Sequence, residues 1–381
     1  MIVRGAVLRE MGLPSPYAES RPLAIEEVEL APPGPGELLV RIRAAGLCHS
    51  DLSVINGSRP RVMPMLLGHE ATGEVLQSEA PGFAVGDTVG FAFVPACGAC
   101  PPCAEGRAAL CEPGAAANTA GTLLSGERRL SSAPSADSVS SGSGHLHHHL
   151  GVSGFADHAV VSARSAVKID PELPPEIAAL FGCAVMTGVG AVVNTARIQA
   201  GQSAVVFGLG GVGLSALLGA ALVGAHPLVA VDVVPEKLAL AKELGATHAI
   251  DARSNDVVEQ VREATRGGAR YAIETVGSAA VLAQAYAATR RGGTTVTVGL
   301  PDPSQNLSIP AVSLVAEERT LKGSYLGSAI PSRDIPRYIA LYQAGRLPVD
   351  RLLTSTVRLE SLNEAFDTLA AGTSIRQVLL L

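Results

Sequence analysis

The 381-residue sequence predicts a two-domain α/β protein, with a mainly β, barrel-like domain at residues 1–184 and 328–381 and a doubly wound parallel-sheet domain at 185–327. Three observations carry this. The length exceeds what a single ordinary core organises. Residues 1 to about 95 are rich in Val, Gly and Pro, with alternating runs such as ELLVRIRAAG (37–46) and GFAVGDTVGFAFV (82–94) that read as short antiparallel strands. From Gln202 onward, apolar strand runs alternate with helix-length segments, which implies a parallel sheet covered on both faces.

In that second half the order is the strand SAVVF, a Gly-rich turn, an Ala/Leu helix, the strand PLVAVDV, the helix VPEKLALAKELG, the strand THAID, a helix around DVVEQVREATRGG, then YAIETVG, a further helix and TTVTVGL. After about Ser328 the chain returns to helices and short strands, ending in SIRQVLLL, and is expected to rejoin the first domain. Between Pro113 and His149 lies a low-complexity segment including SSAPSADSVSSGSG (131–144), which has little to bury and reads as a mobile surface loop. The cluster HLHHH (145–149) has no carboxylate or cysteine beside it and reads as part of that solvated loop.

A composition 47% hydrophobic with 41 Gly, no Trp and 3% aromatic residues fits an Ala/Val/Gly-rich α/β protein and argues against disorder. The net charge of -6 offers nothing to nucleic acid. The start, MIVRGAVLREMGLPSP, lacks the basic and long apolar regions of a signal peptide, and no Gly-free apolar run reaches membrane-spanning length. The expectation is a cytoplasmic protein without a membrane partner. In a reducing compartment its six cysteines are metal ligands or free thiols before they are disulfides.

GLGGVG (208–213) satisfies the G-x-G-x-x-G pattern, follows the strand AVVF and opens a helix. Gly208 permits the tight turn, Gly210 admits a pyrophosphate to the backbone, and Gly213 allows close helix packing. Asp232 ends the next strand, where its carboxylate accepts from adenosine ribose hydroxyls and repels a 2′-phosphate, so NAD is expected over NADP. The alternative is a glycine-rich turn of another α/β fold, with Asp232 a strand-end cap.

Cys97, Cys100, Cys103 and Cys111, spaced C-x2-C-x2-C-x7-C, can wrap one zinc. Tetrahedral S4 ligation is closed, so this metal is expected to be structural. A nucleic-acid-reading zinc ribbon is the alternative, but no basic face accompanies the lobe. Cys48 in GLCHSD, His69 in GHE and Cys183 in GCAVMTG remain. Two thiolates and an imidazole would leave a fourth zinc position open, the arrangement associated with catalysis. By spacing alone this second site is weak, because the three residues are far apart and a lone buried Cys is usually a small hydrophobe.

Taken together, GLCHSD, GHEATGEV, the four-cysteine lobe (about 95–113), GCAVMTGVGAV, FGLGGVG with VDVVPEK, and SIRQVLL resemble, in order and nearly end to end, the zinc-dependent alcohol dehydrogenases of the medium-chain dehydrogenase/reductase superfamily. The resemblance implies a GroES-like catalytic domain, a Rossmann NAD-binding domain, and two zincs per chain. One would sit on Cys48, His69 and Cys183, the other on the lobe. It places Glu70 behind the catalytic metal, Asp51 on the second nitrogen of His69, and the Ser50 hydroxyl next to the substrate oxygen. It assigns His49 and Arg376 to the pyrophosphate, Lys237 and Asp232 to the adenosine ribose, Thr187 to the nicotinamide side, and Gly211, Val212, Val298 and Leu300 to further cofactor contacts.

Phe93 and Phe155 fall where the family lines its substrate channel, with core packing as their alternative. Two departures matter. Ser53 stands where well-studied animal members have a histidine that passes the proton to solvent. Gly57 and Ala115 stand where the glutathione-dependent formaldehyde branch is expected to carry an Asp and an Arg, which disfavours that substrate. The expected activity is NAD-linked oxidation of primary aromatic or medium-chain alcohols to aldehydes, and the reverse. Alternatives are a polyol or secondary-alcohol dehydrogenase of the same superfamily, or a catalytically silent NAD-binding protein. The resemblance also implies a homodimer, with a tetramer as alternative, because in relatives the last strand of the sheet, within 310–327 here, pairs with its twin across a two-fold axis.

Overall fold

The computed structural model describes residues 1–133 and 144–381. The chain forms two compact units, one of Met1–Cys183, Ile330–Pro336 and Leu353–Leu381, the other of Ala184–Ala329 and Arg337–Leu352.

In the first unit the N-terminal strands close a small barrel in the order Ile2–Leu8, Leu23–Leu30, Leu130–Ser132, His145–His148, Met65–Leu66, the last pairing back to the first. A second sheet runs Ala166–Lys168, Thr88–Phe91, Ala71–Ser78, Glu37–Leu47, Arg376–Leu380, Leu353–Val357, with His158–Ser162 also on Glu37–Leu47. Glu37–Leu47 alternates Leu, Val and Ile with Arg, so its apolar face enters the core. Two registers on this strand matter later. Ala45 faces Ala71, and Leu47 faces Gln377. They bring Glu70 and Arg376 to the end of the strand, where Cys48 follows. The core here is built from Leu, Val, Ile and Phe side chains, Phe155 and Phe366 among them.

The second unit holds a six-stranded sheet in the order His248–Asp251, Leu228–Asp232, Ala204–Phe207, Ala269–Glu274, Thr289–Thr297, Thr320–Gly323, with every pairing parallel. The central strands are continuous apolar runs, as burial on both faces requires. The order reverses beside Ala204–Phe207, so the Gly-rich turn leaves that strand at the switch point where such sheets bind their ligands.

The stretch 113–149 departs from the expected mobile loop. Glu112–Ala120 is a helix, and Leu130–Ser132 and His145–His148 are barrel strands. Residues 134–143, the middle of the Ser-rich run, lie outside the described residues. The expectation of a solvated histidine cluster is corrected: His147, His148 and His149 are buried. The reason is strand pairing, because His145–His148 closes the barrel between Leu130–Ser132 and Met65–Leu66. Polar partners offset part of the cost of burial. The Arg129 N–H donates to His148 Nε2 at 3.1 Å, and His147 Nδ1 lies 3.2 Å from the Ala120 carbonyl.

Burial pushes His148 down to about 3. The folded state therefore takes up this proton only near pH 3, whereas the unfolded chain does so near the ordinary histidine value of about 6.5. Between the two the unfolded state binds more protons, so stability falls as pH drops, by up to about 1.4 kcal/mol per pH unit for this one group. Denaturant melts between pH 7 and 4 should show that slope, and His148→Gln should reduce it.

Candidate functional site

Two clusters of potential ligand atoms involve cysteine. In the lobe, the ligand atoms of Cys97, Cys100, Cys103 and Cys111 all lie within 4.8 Å of one another. Cys100 Sγ and Cys111 Sγ are 4.0 Å apart. Four sulfurs at about 2.3 Å from a tetrahedral zinc stand about 3.8 Å from each other, so the spacing fits that ion. Backbone N–H groups aim at the sulfurs: Ala99 and Cys100 donate to Cys97 Sγ, and Cys97 and Gly114 donate to Cys111 Sγ, at 3.2–3.4 Å. The Ala99 and Cys100 donors pull Cys97 down to about 6, while desolvation pushes Cys103 up to about 12. Four thiols this close cannot all ionise alone, and a divalent cation resolves the conflict.

The second cluster is deeply buried, and its atoms come from distant segments. Cys48 caps the helix His49–Ile55, His69 precedes the strand Ala71–Ser78, and Cys183 follows the turn Ala179–Gly182. Their ligand atoms and a Glu70 carboxylate oxygen lie within 4.8 Å of one another. His69 Nε2 is 3.4 Å from Cys183 Sγ, against about 3.5 Å expected for N and S on a common tetrahedral zinc. A bond from Cys183 holds the Cys48 thiol well below its ordinary value, and the same bond pushes Cys183 up, so the pair shares a proton that a metal would displace. Among the described residues Glu70 Oε2 is buried without a hydrogen-bond partner, which also suits a cation. The residues fit zinc at both clusters.

The expected supporting groups are in place around the second cluster. Asp51 is the third residue of the helix that Cys48 caps, and its Oδ2 lies 3.3 Å from the Cys48 N–H and 3.1 Å from His69 Nδ1. Burial would raise the Asp51 carboxyl, but His69 and then His149 beside it hold it far below the usual range. Arg376, expected at the pyrophosphate, is buried in an ion pair with Glu70. Ser50 is half-buried on the first turn after Cys48, and His49 beside it is exposed. The Ser53 hydroxyl donates to the His49 carbonyl at 2.6 Å, turned back onto its own helix.

Phe93 is edge-on to the His69 ring, with centroids 5.5 Å apart. Phe155 requires a correction. It is fully buried in the core, edge-on to Phe366, because Ala6 and Leu67 take its backbone into the barrel. Its part is packing, not a substrate channel. The sequence reading also missed His149, whose Nδ1 lies 3.1 Å from Asp51 Oδ1. The run HLHHH was the available signal, but its carboxylate lies far upstream.

In the second unit Gly208 has φ +87°, and a Cβ on Gly213 would run into the Gly208 carbonyl oxygen, so both need glycine. A Cβ at Gly210 meets nothing within 4 Å, leaving open space at the N-terminus of Gly211–Leu222, which Val212 also begins. That is a cradle suited to a phosphate. The strand-end role of Asp232 is present: Leu209 N–H and Val234 N–H donate to its two oxygens at 2.6 and 2.9 Å. An ionised carboxylate has about four acceptor sites, so two remain for a ribose. Lys237 and Thr187 are buried, Val298 donates its N–H to the Glu274 carbonyl at 2.8 Å, and Leu300 is exposed.

Comparison with known proteins bears on both units. The description "Alcohol dehydrogenase GroES-like domain" matches residues 34–171 and "Zinc-binding dehydrogenase" matches 211–344. A candidate alcohol dehydrogenase, designated D, of Mycobacterium tuberculosis is 38% identical over 96% of this chain and 98% of its own. An alcohol dehydrogenase zinc-binding domain protein from Burkholderia ambifaria superposes with a TM-score of 0.92 at 36% identity, covering 100% and 99% of the two chains. The benzyl alcohol dehydrogenase of Acinetobacter calcoaceticus does so with a TM-score of 0.91 at 30% identity, with the same coverage.

Metal analysis should return two zincs per chain. Cys183→Ser is expected to remove one and Cys103→Ser the other, each leaving its counterpart bound. A single zinc in the wild type, insensitive to Cys183→Ser, would rule out the second cluster as a metal centre.

Proposed function

This chain belongs to the zinc-type alcohol dehydrogenase family of the medium-chain dehydrogenase/reductase superfamily, and from that premise we propose an NAD-linked enzyme oxidising primary aromatic and medium-chain alcohols to aldehydes, and reducing them back. The observation that carries the proposal is the buried cluster of Cys48, His69 and Cys183, three donors at zinc spacing with no fourth thiol to close the site.

A zinc held there would supply a Lewis acid that makes an alcohol hydroxyl more acidic, and NAD would supply the hydride acceptor. The protein contributes charge balance, orientation and a first proton acceptor. Two thiolates and a neutral imidazole cancel a divalent charge, so the centre tolerates burial. Asp51 keeps the His69 proton on Nδ1 and so presents the Nε2 lone pair to the metal. Glu70 and Arg376 place a neutralised pair beside it. Ser50, two residues after Cys48, is the hydroxyl that takes the substrate proton. Phe93 gives the cluster an apolar border beside His69, which supports an aromatic or aliphatic alcohol. The likeness to a benzyl alcohol dehydrogenase supports the same substrate class.

For the cofactor, the Asp232 carboxylate at the end of Leu228–Asp232 supports NAD, because a 2′-phosphate would meet its charge. A cytoplasmic homodimer completes the proposal. The edge strand Thr320–Gly323, following a helix that exposes Val312 and Val315, supports pairing with a second copy. Light scattering on the purified chain should give twice the chain mass, and a monomer would remove that element.

With benzyl alcohol or hexanol, NADH should form, and Ser50→Ala should lower kcat/KM by roughly 10²-fold or more with both zincs retained. Asp232→Gly should shift the NAD/NADP preference toward NADP by about tenfold or more. A wild type that prefers NADP, or that oxidises only polyols, would contradict the assignment.

A further inference from the structure

His149 forms the second half of a clamp on Asp51. Each oxygen of that buried carboxylate faces one backbone N–H and one imidazole. Oδ2 lies 3.3 Å from the Cys48 nitrogen and 3.1 Å from His69 Nδ1. Oδ1 lies 3.2 Å from the Gly68 nitrogen and 3.1 Å from His149 Nδ1. All three side chains are buried, and the two rings stand edge to face with centroids 5.6 Å apart. With His69 alone, Oδ1 would keep only the Gly68 N–H, and the two sides of the carboxylate would be held unequally. With both rings in place its plane is fixed, and so is the plane of the His69 ring.

The backbone around His149 is built to hold this position. The His149 carbonyl accepts from Val152 N–H at 3.1 Å and Ser153 N–H at 3.3 Å, and its own N–H donates to Ser153 Oγ at 3.0 Å. This turn needs positive φ at Leu150, Gly151 and Ser153, two of them not glycine. Such strain persists where surrounding contacts over-determine it, and it gathers at functional positions. The turn is then tied to the segment leading into His69, since Gly154 N–H donates to the Gly68 carbonyl at 2.8 Å and Phe155 N–H to the Leu67 carbonyl at 3.0 Å. The ligand and the distal ring thus ride on one bonded framework.

We propose that His149 is a positioning residue of the Cys48, His69 and Cys183 metal centre, acting through Asp51 to fix the His69 ring that presents Nε2 to the metal. The proposal rests on the reading of that cluster as a metal site. Groups bonded directly to a ligand, as Asp51 is to His69, set metal affinity by about 10–100-fold, and His149 acts one side chain further out, so its effect falls at the low end of that range.

The test uses the full chain loaded with cobalt(II) in both sites. His149→Phe keeps an aromatic ring but removes the nitrogen facing Oδ1; His149→Asn keeps a polar group near the Nδ1 position; His149→Ser is too short to reach. The readouts are the visible absorption of the cobalt in the open site, its release rate to a chelator, and kcat and KM separately. Expected is an altered spectrum and at least about tenfold faster release from that site in His149→Phe and His149→Ser, with largely wild-type values in His149→Asn and the lobe cobalt unaffected in all three. If the Phe variant fails to fold, the Asn and Ser pair decides the question. Release rates and spectra within twofold of wild type in both Phe and Ser variants, or in Ser alone where Phe does not fold, would overturn the positioning role while leaving the metal centre intact. A wild type that takes up only the lobe cobalt would overturn the metal-centre reading and this proposal with it.

Discussion

The carboxylate of Asp51 is buried among four nitrogen atoms, and the geometry of the metal cluster follows from how each of them is delivered. A buried carboxylate needs compensation, which two backbone N–H bonds and two imidazoles at ion-pair distance supply. The Cys48 nitrogen arrives because Asp51 sits three residues into the helix that Cys48 caps. The Gly68 nitrogen and His69 arrive at the approach to Ala71–Ser78, whose register against Glu37–Leu47 is set by the apolar alternation of both strands. His149 arrives because the barrel closes through His145–His148. One carboxylate therefore joins a helix cap, a sheet register and a barrel closure, and two metal-ligand candidates are placed by the result.

Much of this architecture is legible in the sequence where the signal is local. The four lobe cysteines lie within fifteen residues, and their spacing alone implies a shared metal. The strand AVVF, the turn GLGGVG and the helix after it form one contiguous unit whose glycines are explained by positive φ at Gly208 and by the lack of room for a side chain at Gly213. The alternation of strands and helices across 202–300 likewise yields the observed parallel sheet.

Legibility fails where contacts span the chain. Cys48 and His69 are brought together by a sheet register that no spacing encodes, and Cys183 arrives from a turn more than a hundred residues further on, so only the family resemblance placed the three together. His149 illustrates the limit most clearly. A polar run beside a Ser-rich segment looks solvated, because the strand pairing that buries it and the carboxylate that receives it are both remote in sequence. Phe155 errs in the opposite direction: an aromatic residue that the resemblance puts in the substrate channel turns its ring into the core, because its backbone is held by Leu67 and Ala6. The Arg376–Glu70 ion pair is likewise invisible in the sequence, since its members lie far apart and meet only through the strands that flank Glu37–Leu47.

The central claim is that one chain carries two chemically different zinc centres, a closed one of four sulfurs and an open one of two sulfurs and an imidazole. Zinc-edge X-ray absorption on the wild-type protein tests it most directly. The account predicts an average of about three sulfurs near 2.3 Å and about one nitrogen or oxygen near 2.0–2.1 Å per zinc. A shell of four sulfurs with no nitrogen or oxygen scatterer would contradict it, because only the lobe would then hold metal.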